Sequence, residues 1–204
     1  MGRIAGWIEP VKLSPITRLK QLGFKSAAAF RAWLTTNHGE CDGIWLRLFK
    51  KDSGKATVTY AEALDQALCF GWIDGQVKAL DGLSWIQKFT PRRARSVWSK
   101  RNTEHVERLT KAGLMMPAGL QQVEAAKADG RWAAAYESPK NAEPPADFLK
   151  ALAKDKKAKA FFETLNKANV YAIVYRLQTA KKPETRVQRM EGILAMLGRG
   201  EKFH

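Results

Sequence analysis

Between Lys88 and Asn102 the chain reads Lys-Phe-Thr-Pro-Arg-Arg-Ala-Arg-Ser-Val-Trp-Ser-Lys-Arg-Asn, six basic residues with no acid among them. Arginine forks bind phosphate or carboxylate bidentately, hydroxyls add donors, and a helix N-terminus close by adds a favourable dipole. Lys88, Arg92, Arg93, Arg95, Ser96, Trp98, Ser99, Lys100 and Arg101 are therefore candidate anion-binding residues. The plainer alternative pairs some of them with internal acids such as Glu62, Asp65 and Asp74 and leaves the rest as a solvated face.

A second cluster is Cys69-Phe70-Gly71-Trp72-Ile73-Asp74-Gly75. Asp74 beside Trp72 and Ile73 is a candidate general acid or base, because an apolar setting raises a carboxyl pKa; an ion pair with Arg92 or Arg95 does the opposite. Trp72 and Asp74 are thus pocket candidates. The three histidines, His38, His105 and His204, fall in no metal-ligand spacing, and Cys41 and Cys69 are too few and too far apart for zinc. No metal or cofactor site is read. Nucleophile elbow, P-loop and dinucleotide fingerprint are missing as well. The run Thr179 to Arg189 joins two helical patterns, with Glu184 placed to cap and Arg186 and Arg189 exposed.

The elements that must position these groups follow from punctuation and period. Ser26 caps a helix carrying Phe30, Trp33 and Leu34, and Gly43 to Phe49 reads as a strand stopped by Lys50 to Gly54. Thr59-Tyr60-Ala61-Glu62 has the form of a capping box opening a helix with Ala63, Leu64, Ala67 and Leu68 on one face. Trp72 to Lys78 and Leu83 to Phe89 flank an Asp81-Gly82 reversal and predict a hairpin. Asn102 or Thr103 is expected to cap a helix ending at Gly113, and Pro117 to open another ending at Gly130. Tyr136 to Pro145, with three prolines, reads as a linker. Beyond it, three helical patterns centre on Leu149 to Leu165, Val170 to Leu177 and Val187 to Leu197, with a corner at Pro183. The expected fold class is α+β: a small, mainly antiparallel sheet with flanking helices in residues 1–136, a linker over 137–145, and a helical lobe over 146–204.

A chain of 204 residues and 22.9 kDa buries a core without disulfide staples. Its 45% hydrophobic and 27% charged composition is that of a globular protein, and its net charge of +15 favours anionic partners. No apolar run is long enough for a membrane-spanning helix. The N-terminus, broken by Arg3, Glu9, Pro10 and Lys12, does not read as a secretory leader, and Gly6 stands where myristoylation expects a hydroxyl. With two cysteines read as reduced core residues, a cytoplasmic location is expected.

Several of these motifs together resemble the YdeI/OmpD-associated family, also labelled bacteriocin-protection proteins. The resemblance is carried by Phe30 to Leu34, Asn37-His38, Gly43 to Leu46, Lys50-Lys51 with Ser53-Gly54, Tyr60 to Ala63, Ala67 to Gly75, Phe89 to Arg92, Ser96 to Ser99, Asn102, Gly113 to Met115, Pro117 to Gly119, Ala180-Lys181, Glu184 to Arg186 and Arg189. It spans roughly residues 28 to 198. It implies a small bacterial protein associated by name with stress or antimicrobial-peptide resistance and with no established reaction.

Two readings of function follow. In the first, the protein is a non-catalytic module whose segment Lys88 to Asn102 engages nucleic acid, a phosphorylated ligand or an acidic protein. In the second, a pocket lies between the Phe70–Asp74 and Pro91–Ser99 segments, with Asp74 as acid or base and Arg92 or Arg95 holding a substrate anion. An open basic stripe distinguishes the first, a concave pocket with convergent polar groups the second.

Overall fold

Ser26 adopts an extended backbone and its Oγ accepts the Ala29 amide, so the first helix starts where the sequence punctuates it. In the computed structural model, which describes residues 19–203, the order is β1 (Lys20–Gly23), α1 (Ala27–Asn37), β2 (Ile44–Phe49), α2 (Tyr60–Cys69), β3 (Trp72–Ala79), β4 (Ser84–Pro91), α3 (Lys100–Lys111) and α4 (Pro117–Ala128). Then come α5 (Ala146–Leu152), α6 (Lys156–Glu163), α7 (Lys167–Gln178) and α8 (Pro183–Gly198). This is the expected α+β arrangement. The leader and acylation readings, and His204, lie outside the described residues.

The chain packs as two compact units, one reaching to Ser96 and resuming over Glu104–Asp129, the other made of Val97–Thr103 and the chain from Gly130 onward. The first unit holds a four-stranded sheet in the order β1-β2-β4-β3. β1 runs parallel to β2, and the β2/β4 and β4/β3 pairs are antiparallel. Ile44, Leu46 and Leu48 alternate toward one face and pair with Phe89, Gln87 and Trp85 of β4. Phe30 of α1 meets Phe24 and Phe89 at 5.1 and 5.9 Å between ring centres, and Trp33 meets Trp72 edge-to-face at 5.8 Å. Trp45 and Phe49 point to the opposite face yet are also buried, Trp45 under the Lys78 ammonium and Phe49 under Arg47 and Lys55. That double coverage is why β2 reads as an almost unbroken apolar run rather than an alternating one.

The capping box forms as read: Thr59 Oγ1 accepts the Glu62 amide while Glu62 Oε2 accepts the Thr59 amide. Cys69, Phe70 and Gly71 end α2, and Gly71 takes φ +73°, a conformation that only glycine adopts without strain. α4 lies against that end. A Cβ on Gly119 would sit 2.3 Å from the Cys69 carbonyl oxygen, so the helices approach at a distance only glycine permits. Two expectations need correction. The first turn of α3 begins at Lys100, and Ser99 Oγ, not Asn102 or Thr103, accepts the Asn102 amide; Asn102 and Thr103 are buried inside the helix. The long pattern from Leu149 to Leu165 is two helices, because Asp155 stops the first and caps the second, accepting the Lys157 and Ala158 amides.

In the second unit, Phe148, Leu152, Ala158, Ile173, Leu177, Ile193 and Leu197 form one core joining α5 to α8. Asn166 caps α7, Pro183 opens α8, and Arg186 donates from Nη1 and Nη2 to the two carboxylate oxygens of Asp147 on α5. Tyr136 to Pro145 lies within this unit. There Tyr136 pairs with the chain around Ser99: its amide donates to the Trp98 carbonyl and its carbonyl accepts the Lys100 amide.

Candidate functional site

The pairing of β3 with β4 slips between Asp74 and Val77, and the slip leaves Gly75 and Gln76 bulged. Gln87 Nε2 fills the gap by donating to the Gly75 carbonyl at 2.9 Å. Bulges re-aim side chains at sheet rims, and this one turns Gln76 toward the end of β4. Beyond Pro91 the Arg92 amide donates to the Gly71 carbonyl at 2.9 Å, and the Ser96 amide donates to the Arg93 carbonyl at 2.9 Å. The first bond carries the β3–β4 pairing one residue further, and the second closes a turn over residues 93–96. The result is a cleft of about 680 Å³ whose walls include Asp42, Ile73, Gly75, Gln76, Lys88, Thr90, Pro91, Arg92, Arg93 and Ser96.

Three cations, two hydroxyls and a carboxamide therefore line one concavity, against a single acid. Arg92 is buried, Lys88 is half-buried and Arg93 is exposed, so the charge is graded from the wall to the mouth. A buried guanidinium supplies a fixed planar donor set, and an exposed one adapts to the ligand. Among the described residues no cluster of His, Cys, Asp and Glu is arranged to hold a metal ion.

The other predicted residues are dispersed. Arg95 is exposed and outside the cleft wall. Trp98 is buried in the second unit, with its ring 4.9 Å from that of Trp132. Ser99 caps α3, Lys100 forms an ion pair with Glu137, and Arg101 is an exposed residue of α3. Trp72 is a core residue whose Nε1 donates to the His38 carbonyl at 3.1 Å. Asp74 Oδ2 accepts from the Tyr60 hydroxyl at 2.8 Å, so its hydrogen bond comes from a phenol rather than from Arg92 or Arg95. Nor do the acids expected to neutralise the basic stretch do so: Glu62 closes its capping box, and Asp65 faces α3.

That last contact is a cluster the sequence reading passed over. Asp65 Oδ1 lies 2.7 Å from His105 Nδ1, and Arg108 Nη2 donates to both carboxylate oxygens at 2.7 Å. Burial pulls the Asp65 carboxyl upward, but the Arg108 and His105 hydrogen bonds and their charges together outweigh it and leave its pKa lowered. Cys69, one turn along α2 from Asp65, is buried, and burial is the chief reason its thiol is pushed up. The readable signal was the i, i+3 pair His105 and Arg108, which shares one face of α3. The bulge also had a signal, since a glycine inside a strand pattern commonly marks one, here Gly75.

An α+β unit with a polar cleft at its sheet end and a helical second unit is the class that fold and site define. Residues 141–200 match the family described as Bacteriocin-protection, YdeI or OmpD-Associated. Residues 22–122 match a domain of unknown function (DUF8412). The resemblance drawn from the motifs is borne out in the C-terminal helices, whereas the motifs from Phe30 to Gly119 fall in the segment that the second description covers. No curated protein and no solved structure matches the chain. No helix among the described residues is long and apolar enough to cross a membrane.

Proposed function

We propose that the protein is a binding module for a small, multiply charged anion, a phosphorylated or polycarboxylate ligand, held in the cleft at the end of β3 and β4. The observation that supports this reading is the convergence of Lys88, Arg92 and Arg93 with Thr90, Ser96 and Gln76 on a single concavity of about 680 Å³. Sites for small molecules commonly enclose roughly 300–1,000 Å³ and use a few convergent polar groups. An extended nucleic-acid stripe is less well supported, since Trp98 is buried, Ser99 is spent on a helix cap and Lys100 faces Glu137. Asp74 is bonded to Tyr60 and is not a wall residue, which favours binding over acid–base turnover.

Isothermal titration with inorganic pyrophosphate, ADP and citrate tests the proposal. At least one should bind at low salt, and Lys88→Gln with Arg93→Gln should weaken that binding by about tenfold or more, as expected for losing charge-assisted hydrogen bonds. Failure of all three anions to bind, or equal binding by the double variant, refutes the reading. Duplex DNA provides a second discriminator: three cleft cations give a logarithmic salt slope of about −2.7, whereas engaging five residues across Lys88 to Arg101 requires about −4.5.

A further inference from the structure

Seven large hydrophobic residues are exposed among the described residues, and three of them, Val77, Leu80 and Leu83, sit on the single hairpin of β3 and β4. Their exposures are 64%, 37% and 50%. The turn that presents them is not loose. Asp81 Oδ1 accepts the Leu83 amide at 2.9 Å and the Ser84 hydroxyl at 2.8 Å, while Asp81 Oδ2 accepts from Arg47 at 2.7 Å. The one carboxylate of the turn is thus spent inside it, and Leu80 and Leu83 are held outward on either side.

Lysines surround this tip. Lys50 donates its amide to the Leu83 carbonyl and its ammonium to the Gly82 carbonyl, which binds the segment Lys50 to Lys55 to the hairpin's flank. Lys51 and Lys55 are exposed on that segment, and Lys78 is exposed on β3. The Lys55 and Lys78 ammonium groups lie over Phe49 and Trp45, 5.0 and 4.7 Å from the ring centres. Asp52 and Asp81 are the exposed acids of the group, and Arg47 meets the charge of Asp81. Exposed aliphatic side chains ringed by lysines match an interface that is apolar within and anionic at its surface. We propose that the β3–β4 hairpin tip is a docking surface for an anionic lipid bilayer, with Leu80 and Leu83 entering the acyl boundary and Lys50, Lys51, Lys55 and Lys78 resting on headgroup phosphates.

This surface is independent of the anion cleft. The cleft wall reaches along the strands as far as Gln76 and Lys88, and the tip lies beyond the pairing of Ala79 with Trp85, about 10 Å further along.

The test is co-sedimentation of the full chain with vesicles of phosphatidylglycerol and phosphatidylcholine, and with vesicles of phosphatidylcholine alone. The protein should partition onto the anionic vesicles, more weakly as salt rises, and not onto the neutral ones. Leu80→Ser with Leu83→Ser should lower partitioning by about tenfold or more, as should Lys51→Gln, Lys55→Gln and Lys78→Gln together. Both variants should stay folded and keep the wild-type pyrophosphate titration, and if the serine pair fails to fold, the lysine triple decides. Absence of binding to anionic vesicles, or partitioning unchanged in a folded variant, overturns the proposal. So does concentration-dependent dimerisation that the serine pair abolishes without vesicle binding, which assigns the tip to a second copy of the chain.

Discussion

Replacing Asp65 by Asn removes the charge that joins α2 to α3 while keeping the size of the side chain. The Asp65 side chain is 20% exposed and that of His105 21%, but that of Arg108 is 55% exposed, so the histidine contact and the buried side of the carboxylate carry most of the effect. Hydrogen bonds to charged groups contribute about 1.5–3 kcal/mol, and the solvated arginine adds the 0–1 kcal/mol of a surface pair at most. The expected loss at pH 7 is about 2 kcal/mol, which for a chain of this length lowers the melting temperature by about 4–8 °C. The pH dependence has a definite sign. Because the folded-state pKa of Asp65 is lowered, its contribution is complete above the unfolded carboxylate value near 3.9 and fades as pH falls through the folded value. Urea unfolding of wild type and Asp65→Asn at pH 7 and 3 should therefore show a gap that narrows at the lower value. A gap below about 0.5 kcal/mol at pH 7, or one undiminished at pH 3, would refute the argument that this carboxylate works as a charged clamp.

Gly119→Ala should destabilise by about 3 kcal/mol or more, since its Cβ would meet the Cys69 backbone and neither helix end yields easily; near-wild-type chemical denaturation would contradict that packing. Trp72→Ala should lower stability by about 3–5 kcal/mol, and Trp72→Phe by less, because it keeps the ring against Trp33 but loses the bond to the His38 carbonyl; equal losses would mean the indole N–H governs. In the native protein, a thiol reagent should titrate Cys41 well before Cys69, which is buried and whose thiol is pushed up, with both titrating on unfolding; comparable rates would show that α2 opens readily.

The elements that were legible are those whose signals are local. The Thr59–Glu62 capping box, the Asp81-Gly82 reversal and the Ser26 cap each satisfy backbone groups within three residues, so residue types alone identify them. β1 was not legible for the opposite reason. Lys20 to Gly23 is four residues long and shows no clear period, and it is a strand only because Ile44 to Arg47 of β2 lies beside it. Asp155 illustrates a third case: Leu149, Leu152 and Ala153, and then Phe161, Phe162 and Leu165, are each at helical spacing, and only the bonds from the Lys157 and Ala158 amides divide the run.

The basic stretch shows where proximity in sequence misleads about a site. Lys88 to Arg101 reads as one charged run, but a strand, a turn and a helix start divide it, and each places its residues differently. β4 directs Lys88 and Thr90 to one face, the turn closed by the Ser96 amide returns Arg93 to that face, and the start of α3 then takes Ser99 as its cap. Had the helix begun at Asn102 as its residue type suggested, Ser99 would have stayed a free hydroxyl beside Arg95, and a continuous stripe would have followed. Serine is as good a cap as asparagine, and Asn102 fits the core at 8% exposure, so packing decided between two starts that local propensity ranks equally. The charge that remains concentrated is the part that lies beside the Gly75–Gln76 bulge and the turn over residues 93–96, which is why the cleft, and not the run, is the unit to test.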